Sequence, residues 1–334
     1  MNDASRTKGL PVQKRDPHSL DAYPLDDSAS RARQQSFIGI DVGGTNIKSV
    51  VLVQSGEHVK VVETTEHHTE GATAADILNQ VGEIARTHLR GRPASAGLGF
   101  ALPGAIDRRA GTAGVMPNLP GSWPGLPVRA TVQAQAGVPT SVVNDARAFS
   151  LAEARLGAAR GLPVVVGVTL GTGLGGGVVI NGSLHEGASG FAGELGHQVL
   201  ELGGQQCGCG NRGCAETFVK SAALLTATGL PNVKAVFKAA ADGDSAAIVA
   251  VNSYVSHLAV ALANVHALLG PDAFVIGGGI AEAEGQLFLP LLERIRAHIT
   301  FDRPSSVHLR KALLGPIAGA VGAALVAADA VVGV

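Results

Sequence analysis

The chain has 334 residues, of which 46% are hydrophobic and only 4% aromatic, enough for two domains whose cores are built from Ala, Val, Leu and Ile. Lys plus Arg number 26 against 27 Asp plus Glu, a balance that excludes the strong field of a nucleic-acid binder or of a protein held on an anionic membrane. The 45 glycines are nearly twice the average usage of about 7% and cluster after apolar runs, where they let backbone amides approach a small ligand.

Residues Met1 to Ser36 are polar, mixed in charge and without periodicity, so a mobile tail is expected there. The tail lacks the apolar core of a signal peptide, and its acidic residues argue against a transit peptide, so the expected location is cytoplasmic. Phe37 to Val53, FIGIDVGGTNIKSVVLV, spells strand, turn at Gly43-Gly44-Thr45, strand. Val164 to Ile180, VVVGVTLGTGLGGGVVI, repeats the plan: Gly39 matches Gly167, Asp41 matches Thr169 and Gly43 matches Gly171. This is an internal duplication, and two such turns facing one cleft would hold a polyphosphate through backbone N–H groups. Gly171, Gly173 and Gly176 formally fit the dinucleotide fingerprint, but that motif must open a helix. Here the glycines run into VVINGS and an Asn181-Gly182 hairpin turn, which argues against a Rossmann unit.

Between the two turns, Ala75 to Leu89 places Ile77, Val81, Ile84 and His88 at helical steps, a scaffold helix. Ala96 to Phe100 is a short strand ending at Ala101-Leu102-Pro103-Gly104. The following Pro117-Asn118-Leu119-Pro120 and the sole Trp123 fit either a plain turn or a ligand loop. Val138 to Val143 is another strand with Asn144-Asp145 at its carboxyl end, leading into a helix. That is where ligands bind open α/β sheets, and it is equally where a helix cap sits.

Gly193 to Glu216, GELGHQVLELGGQQCGCGNRGCAE, contains all three cysteines, Cys207, Cys209 and Cys214, with His197 upstream. Four such ligands suit a closed tetrahedral zinc site that clamps a loop carrying Glu194 and Glu216; a redox pair or incidental thiols are the competing reading. Further on, Ala246 to Leu269 is a helix on which His257 and His266 are packing residues. Phe274 to Ile276 runs into Gly277-Gly278-Gly279, a contact for a nucleotide base or ribose or else a tight turn. Ala312 to Ala328 is uncharged but interrupted by Gly315, Pro316, Gly319 and Gly322, which fits a buried terminal helix starting near Pro316 better than a membrane span.

The DVGGT turn, Asn144-Asp145, LGTGLGGG, GELGH, CGCGNRGC with Glu216, and IGGG, in this order, resemble the ROK family of sugar kinases from about Phe37 to Ala328. The resemblance implies an α/β protein with a duplicated ribonuclease-H-like, actin-like ATPase fold: two domains, 37–143 and 144–315, flanking a cleft. The zinc loop 193–216 belongs to the second domain, and a terminal helix at 316–330 packs back on the first. By the same resemblance, ATP with Mg²⁺ phosphorylates the 6-hydroxyl of a hexose, glucose first, with Asp145 as general base. Gly104, Asn118, Asn144, Glu194, His197 and Glu216 would hold the sugar. Asp41, Gly43, Gly44, Thr45, Gly171, Thr172, Gly173, Gly175, Gly277, Gly278 and Gly279 would serve ATP, with Asp41 reaching Mg²⁺ through water. His197, Cys207, Cys209 and Cys214 would bind structural Zn²⁺. The implied partners are a sugar, a nucleotide and a second copy in a homodimer, with no nucleic acid or membrane.

The same motifs serve N-acetylmannosamine or N-acetylglucosamine kinases, and a sugar sensor without catalysis is the non-enzyme alternative. Family repressors carry a winged helix-turn-helix domain, for which the tail is too short. Two departures stand out. Asn46 occupies the position where some members have Lys, with Lys48 two residues later, and NDARAF replaces the commoner NDANAA, so that Arg147 either shapes substrate choice or faces solvent.

Overall fold

A computed structural model describes residues 34–333 except 57, 91, 93 and 94. The tail expected at 1–36 lies outside the described residues up to residue 33, and its last two residues are corrected: Gln35 and Ser36 already belong to the first strand.

In the first half the elements are β1 (Gln35–Val42), β2 (Asn46–Ser55), β3 (His58–His68), α1 (Ala74–Arg90), β4 (Ser95–Leu102), the short pair β5 (Ile106–Asp107) and β6 (Thr112–Ala113), α2 (Val128–Ala136) and β7 (Thr140–Asn144). Helix α3 (Asp145–Arg155) follows. The second half has β8 (Val164–Leu170), β9 (Leu174–Ile180), β10 (Ser183–Leu184), α4 (Ala215–Phe218), α5 (Ser221–Thr228), α6 (Val233–Ala241), α7 (Ser245–Leu269), β11 (Ala273–Gly277), α8 (Glu284–His298), β12 (Leu309–Lys311) and α9 (Ala318–Val332).

Two five-stranded sheets result, ordered β3-β2-β1-β4-β7 and β10-β9-β8-β11-β12. Each begins with antiparallel pairs and ends with two parallel ones. The sheets therefore match strand for strand, β1 on β8 and β2 on β9, as the duplicated motif predicts.

The matched glycines also have matched structural work. A Cβ on Gly39 of β1 would lie 1.9 Å from the Ala320 carbonyl oxygen, and one on Gly99 of β4 1.8 Å from that of Ala323. In the second sheet a Cβ on Gly167 of β8 would lie 2.2 Å from Ser150 Oγ on α3. Thus α9 lies backbone-close on the first sheet and α3 on the second. The two helices meet where Gly322 leaves no room above the Ala148 carbonyl, with a Cβ only 1.8 Å away. Such contact needs small residues, which is why α9 is rich in Ala and Gly and why Ala318–Ala328 are all buried. Helices Ser245–Leu269 and Gly315–Val332 are long and apolar enough to cross a membrane by composition alone. Both instead turn apolar side chains into the cores.

Polar contacts pin the connection between the halves. Arg155 of α3 makes a two-pronged ion pair with Asp329 of α9, 2.7 and 2.9 Å. Glu153, fully buried, accepts hydrogen bonds from the N–H groups of Ala158, Leu313 and Leu314, tying the end of α3 to the segment that enters α9. Helix α3 thus begins at Asp145 and ends at the junction of the two sheets.

Trp123 is a core residue rather than a ligand residue. It is 1% exposed, packs with the first-half core and donates from Nε1 to the Pro120 carbonyl at 2.9 Å.

Candidate active site

Three glycine turns lie at the carboxyl ends of strands. The first, Gly43-Gly44-Thr45, is closed by the Gly43 N–H on the Asn46 carbonyl at 3.0 Å and braced by Thr69, whose N–H and hydroxyl bond the carbonyls of Thr45 and Gly43. A Cβ on Gly44 would sit 2.8 Å from the Asn118 carbonyl, so the Asn118 segment rests directly on this turn. In the second turn the Gly171 N–H bonds the Gly173 carbonyl at 3.1 Å, and the Gly171 carbonyl takes both the N–H and the hydroxyl of Ser221 at the start of α5. The Glu216 carboxylate fills the space above Gly173 and accepts the Leu174 N–H on Oε2 at 3.1 Å. Gly175 packs against Thr169 and Ala146, where a Cβ would meet Thr169 Oγ1 at 2.5 Å. The third turn lies beside the second. Gly278 has φ 87°, and a Cβ there would be 2.3 Å from the Leu170 carbonyl at the end of β8. Gly277 packs on the Phe149 ring, and Gly279 faces open space.

Asp145 lies at the carboxyl end of β7. Asn144 Oδ1 accepts the Arg147 N–H at 3.1 Å, which caps α3, while Asn144 Nδ2 donates to the Gly104 carbonyl and to Asp145 Oδ1, both at 3.0 Å. The Ala146 N–H also bonds Asp145 Oδ1, at 2.8 Å. Asn144 is therefore a cap and a holder of its neighbour's carboxylate at once, and the two readings left open by the sequence are compatible. Burial pushes the Asp145 carboxyl up to about 6, with the Glu194 charge acting in the same direction and the Ala146 and Asn144 hydrogen bonds acting against it. Asp41, at the end of β1, is pushed up to about 7 by burial and next by the charge of Asp145, with Lys48 opposing. Lys48 stands opposite Asp41 in the β1–β2 register, so both side chains share one face of the sheet.

The Gly193–Glu216 loop brings its four soft ligands together. His197 Nδ1 lies 3.7 Å from Cys207 Sγ, Cys209 Sγ 3.7 Å from Cys214 Sγ, and all four donor atoms fall within 4.8 Å of one another. Bonds of about 2.3 Å to sulfur and 2.0–2.1 Å to nitrogen give a tetrahedron with edges of roughly 3.5–3.8 Å, so the cluster fits a zinc ion. Positive φ at Gly210 (92°) and Gly213 (71°) folds the knuckle, and Gly213 leaves no room for a side chain beneath the Glu201 carbonyl. Cys207 and Cys214 are buried and Cys209 is exposed. Burial, followed by the neighbouring sulfurs, pushes the Cys214 thiol up to about 12, a proton that a bound cation would displace. The imidazole of His197 is shared: its Nδ1 faces the sulfurs, and its Nε2 lies 3.9 Å from Glu194 Oε2.

A family profile described as ROK family matches residues 37–330. The chain belongs to the ROK family. Among its relatives, the glucokinase of Thermotoga maritima is 34% identical over 86% of this chain and 96% of its own length. The ROK hexokinase from Thermus thermophilus superposes with a TM-score of 0.80 at 32% identity, covering 90% of this chain and 100% of its own. A ROK family glucokinase from Streptomyces griseus, solved with glucose and AMPPNP, gives 0.73 at 30% identity over 88% of this chain and 99% of its own.

Within this ROK fold, Arg147 does not face solvent. It is 4% exposed and its guanidinium reaches Glu194 at 2.8 Å. The sequence reading also missed Arg108, which pairs with Glu186 at 2.6 Å, joining the β5–β6 turn of the first half to the loop after β10 in the second. No local pattern signals either contact, because the partners are 47 and 78 residues apart. Two concavities elsewhere, about 450 Å³ beside Arg86 and Arg90 and about 370 Å³ beside Phe218, Lys220 and Tyr254, are lined by neither a glycine turn nor a carboxylate among the described residues. The ROK motifs, not these hollows, gather the chemistry.

Proposed function

We propose that this protein transfers the γ-phosphoryl group of ATP to the 6-hydroxyl of a hexose, with glucose the leading substrate and Asp145 the general base. The observation that carries the reading is the Asp145 carboxyl itself: held through Oδ1, set at the carboxyl end of β7, the last strand of the first sheet, and pushed up to about 6 by burial. A base is most useful when its value lies close to the working pH, where it is largely ionised yet still accepts a proton. Likeness to the glucokinases and hexokinase above supports the choice of reaction.

Phosphoryl transfer asks the protein mainly for positioning and for charge stabilisation. The turns at Gly43-Gly44-Thr45 and Gly171-Thr172-Gly173, with Gly175, would donate N–H groups to the phosphates. Gly277, Gly278 and Gly279 would lie against the base or ribose. Asp41, paired across the strand with Lys48, is the residue that would hold Mg²⁺, whose charge would offset that of the phosphates. Gly104, Asn118, Asn144, Glu194, His197 and Glu216 would position the sugar. Glu216 has one oxygen on the Leu174 N–H, so a second oxygen remains for a hydroxyl, and the same side chain would join sugar loop to phosphate turn. Zn²⁺ on His197, Cys207, Cys209 and Cys214 would supply rigidity only, since four protein ligands leave no open position. Charged acceptors bond sugar hydroxyls more strongly than neutral ones do, and they penalise a sugar that lacks the hydroxyl.

ADP release measured across glucose, mannose, N-acetylglucosamine and N-acetylmannosamine tests the reading and names the sugar. Release with none of them, from folded and metal-loaded protein, would remove it.

A further inference from the structure

Arg147 is the third residue of α3, two positions beyond Asp145, and is 4% exposed. Burying a guanidinium is costly unless its donors are answered. Here Nη1 donates to the Gly190 carbonyl at 2.5 Å and Nη2 to Glu194 Oε1 at 2.8 Å, while Nε is buried without a partner among the described residues. The Phe191 ring lies 5.9 Å from Cζ and covers the guanidinium. An apolar side chain would fill the space between α3 and the 190–194 segment without leaving a donor orphaned. What the arginine adds is therefore found at its partner, Glu194.

The Glu194 side chain is 42% exposed, with Oε1 committed to Arg147 and Oε2 facing His197 Nε2 at 3.9 Å. That gap exceeds a direct hydrogen bond but lets one hydroxyl sit about 2.8 Å from each, donating to the carboxylate and accepting from the imidazole. We propose that Arg147 is a positioning residue for the sugar: it locks the Glu194 carboxylate so that Oε2 and His197 Nε2 together receive one hydroxyl. It thereby sets how strongly sugars lacking that hydroxyl are rejected. The proposal rests on the sugar-kinase reading above. Without Arg147 the exposed carboxylate turns freely and must be ordered each time a sugar binds, so the loss falls on sugar binding rather than on the chemistry at Asp145. Lysine is no substitute, because a point charge on a flexible stem does not hold the Gly190 carbonyl and the carboxylate together as a planar fork does.

The test uses the full chain with its metal, MgATP, and glucose beside its 1-, 2- and 3-deoxy analogues. Arg147→Met should raise the KM for glucose by about tenfold or more while kcat stays within about threefold and the KM for ATP is unchanged. For the analogue most strongly rejected by the parent enzyme, the preference for glucose should shrink about tenfold. Arg147→Lys should fall between the two. In a Glu194→Gln background, Arg147→Met should add less than about twofold, since its partner's charge is already gone. The proposal is overturned if Arg147→Met lowers kcat and leaves KM alone, if the deoxy-sugar preference is unchanged, or if the two substitutions multiply in full. Should Arg147→Met fail to fold, Arg147→Lys is judged by the same three readings. A parent enzyme that phosphorylates no sugar would overturn the sugar-kinase reading as well, whereas an active parent with an indifferent Arg147→Met overturns only this proposal.

Discussion

Lowering the pH from 7 to 5 should remove about nine-tenths of the rate at limiting sugar, because the Asp145 carboxyl is then mostly protonated. Burial pushes that carboxyl from 3.8 to about 6. A group at about 6 is roughly 90% ionised at pH 7 and roughly 10% at pH 5, whereas one at 3.8 would still be more than about 90% ionised at pH 5. Only the ionised form accepts the hydroxyl proton, so kcat/KM for the sugar should follow the ionised fraction and drop about tenfold over those two pH units. Asp41, pushed up to about 7 by burial and then by Asp145, titrates together with it, so the midpoint observed belongs to the pair. If Asp41 holds Mg²⁺ as proposed, saturating MgATP would favour its ionised form and leave Asp145 as the group that varying sugar reports. The assay is coupled ADP release between pH 5 and 8 with sugar well below its KM. Asp145→Asn should lose about 10²- to 10⁴-fold in kcat while still binding sugar by calorimetry. A profile that stays flat to pH 5, or an asparagine variant within threefold of the parent, would refute the assignment.

Stability should carry the opposite pH dependence at the same two carboxyls. Their folded-state values, about 7 for Asp41 and about 6 for Asp145, lie above the unfolded 3.8. The stability they contribute is therefore complete below about pH 4 and lost as the pH rises through 6 and 7. In the absence of Mg²⁺, Asp41→Asn should raise the melting temperature relative to the parent at pH 8 more than at pH 4.5. An equal difference at both would show that the carboxyl is not perturbed. Cys209 is the exposed thiol of the cluster, so Cys209→Ser disturbs packing least and isolates ligation. It should lose the roughly one zinc per chain that a four-ligand site holds, lower the melting temperature and raise the sugar KM. A stable, active, zinc-free variant would end the clamp reading. Gly99→Val should cost at least about 1–3 kcal/mol in urea denaturation, because it forces α9 off the first sheet. An unshifted midpoint would mean the 1.8 Å approach to the Ala323 carbonyl is relieved without cost.

Much of the scaffold was legible because its signals are local. The strand–glycine–strand repeats at 37–53 and 164–180 appear as β1–β2 and β8–β9, and the helical periodicity at 246–269 appears as α7 with one added residue. The Asn181-Gly182 turn is present, with φ of 51° and 77° at the two residues. Strand β3 gives only a weak sequence signal because its alternation, HVKVVETTEHH, is half-polar on a partly exposed edge. Helices α2 and α5 have apolar and polar residues too evenly spread around the helix for periodicity to mark them. The sequence leaves Trp123 open between a plain turn and a ligand loop because a loop position says nothing about depth: its large side chain reaches the core from a turn.

Sequence alone determined what depends on neighbours in the chain: which runs extend, where the backbone must turn left-handed, and which four residues are close enough to share one ion. Tertiary structure alone decided that α9 meets β1 and β4 backbone-close at Gly39 and Gly99, that Glu216 grips the Leu174 N–H, and that Arg147 is buried against Glu194 rather than solvated. Periodicity encodes which face of an element is apolar, but not which distant charge answers a buried one. Partners 42 and 47 residues apart leave no such trace.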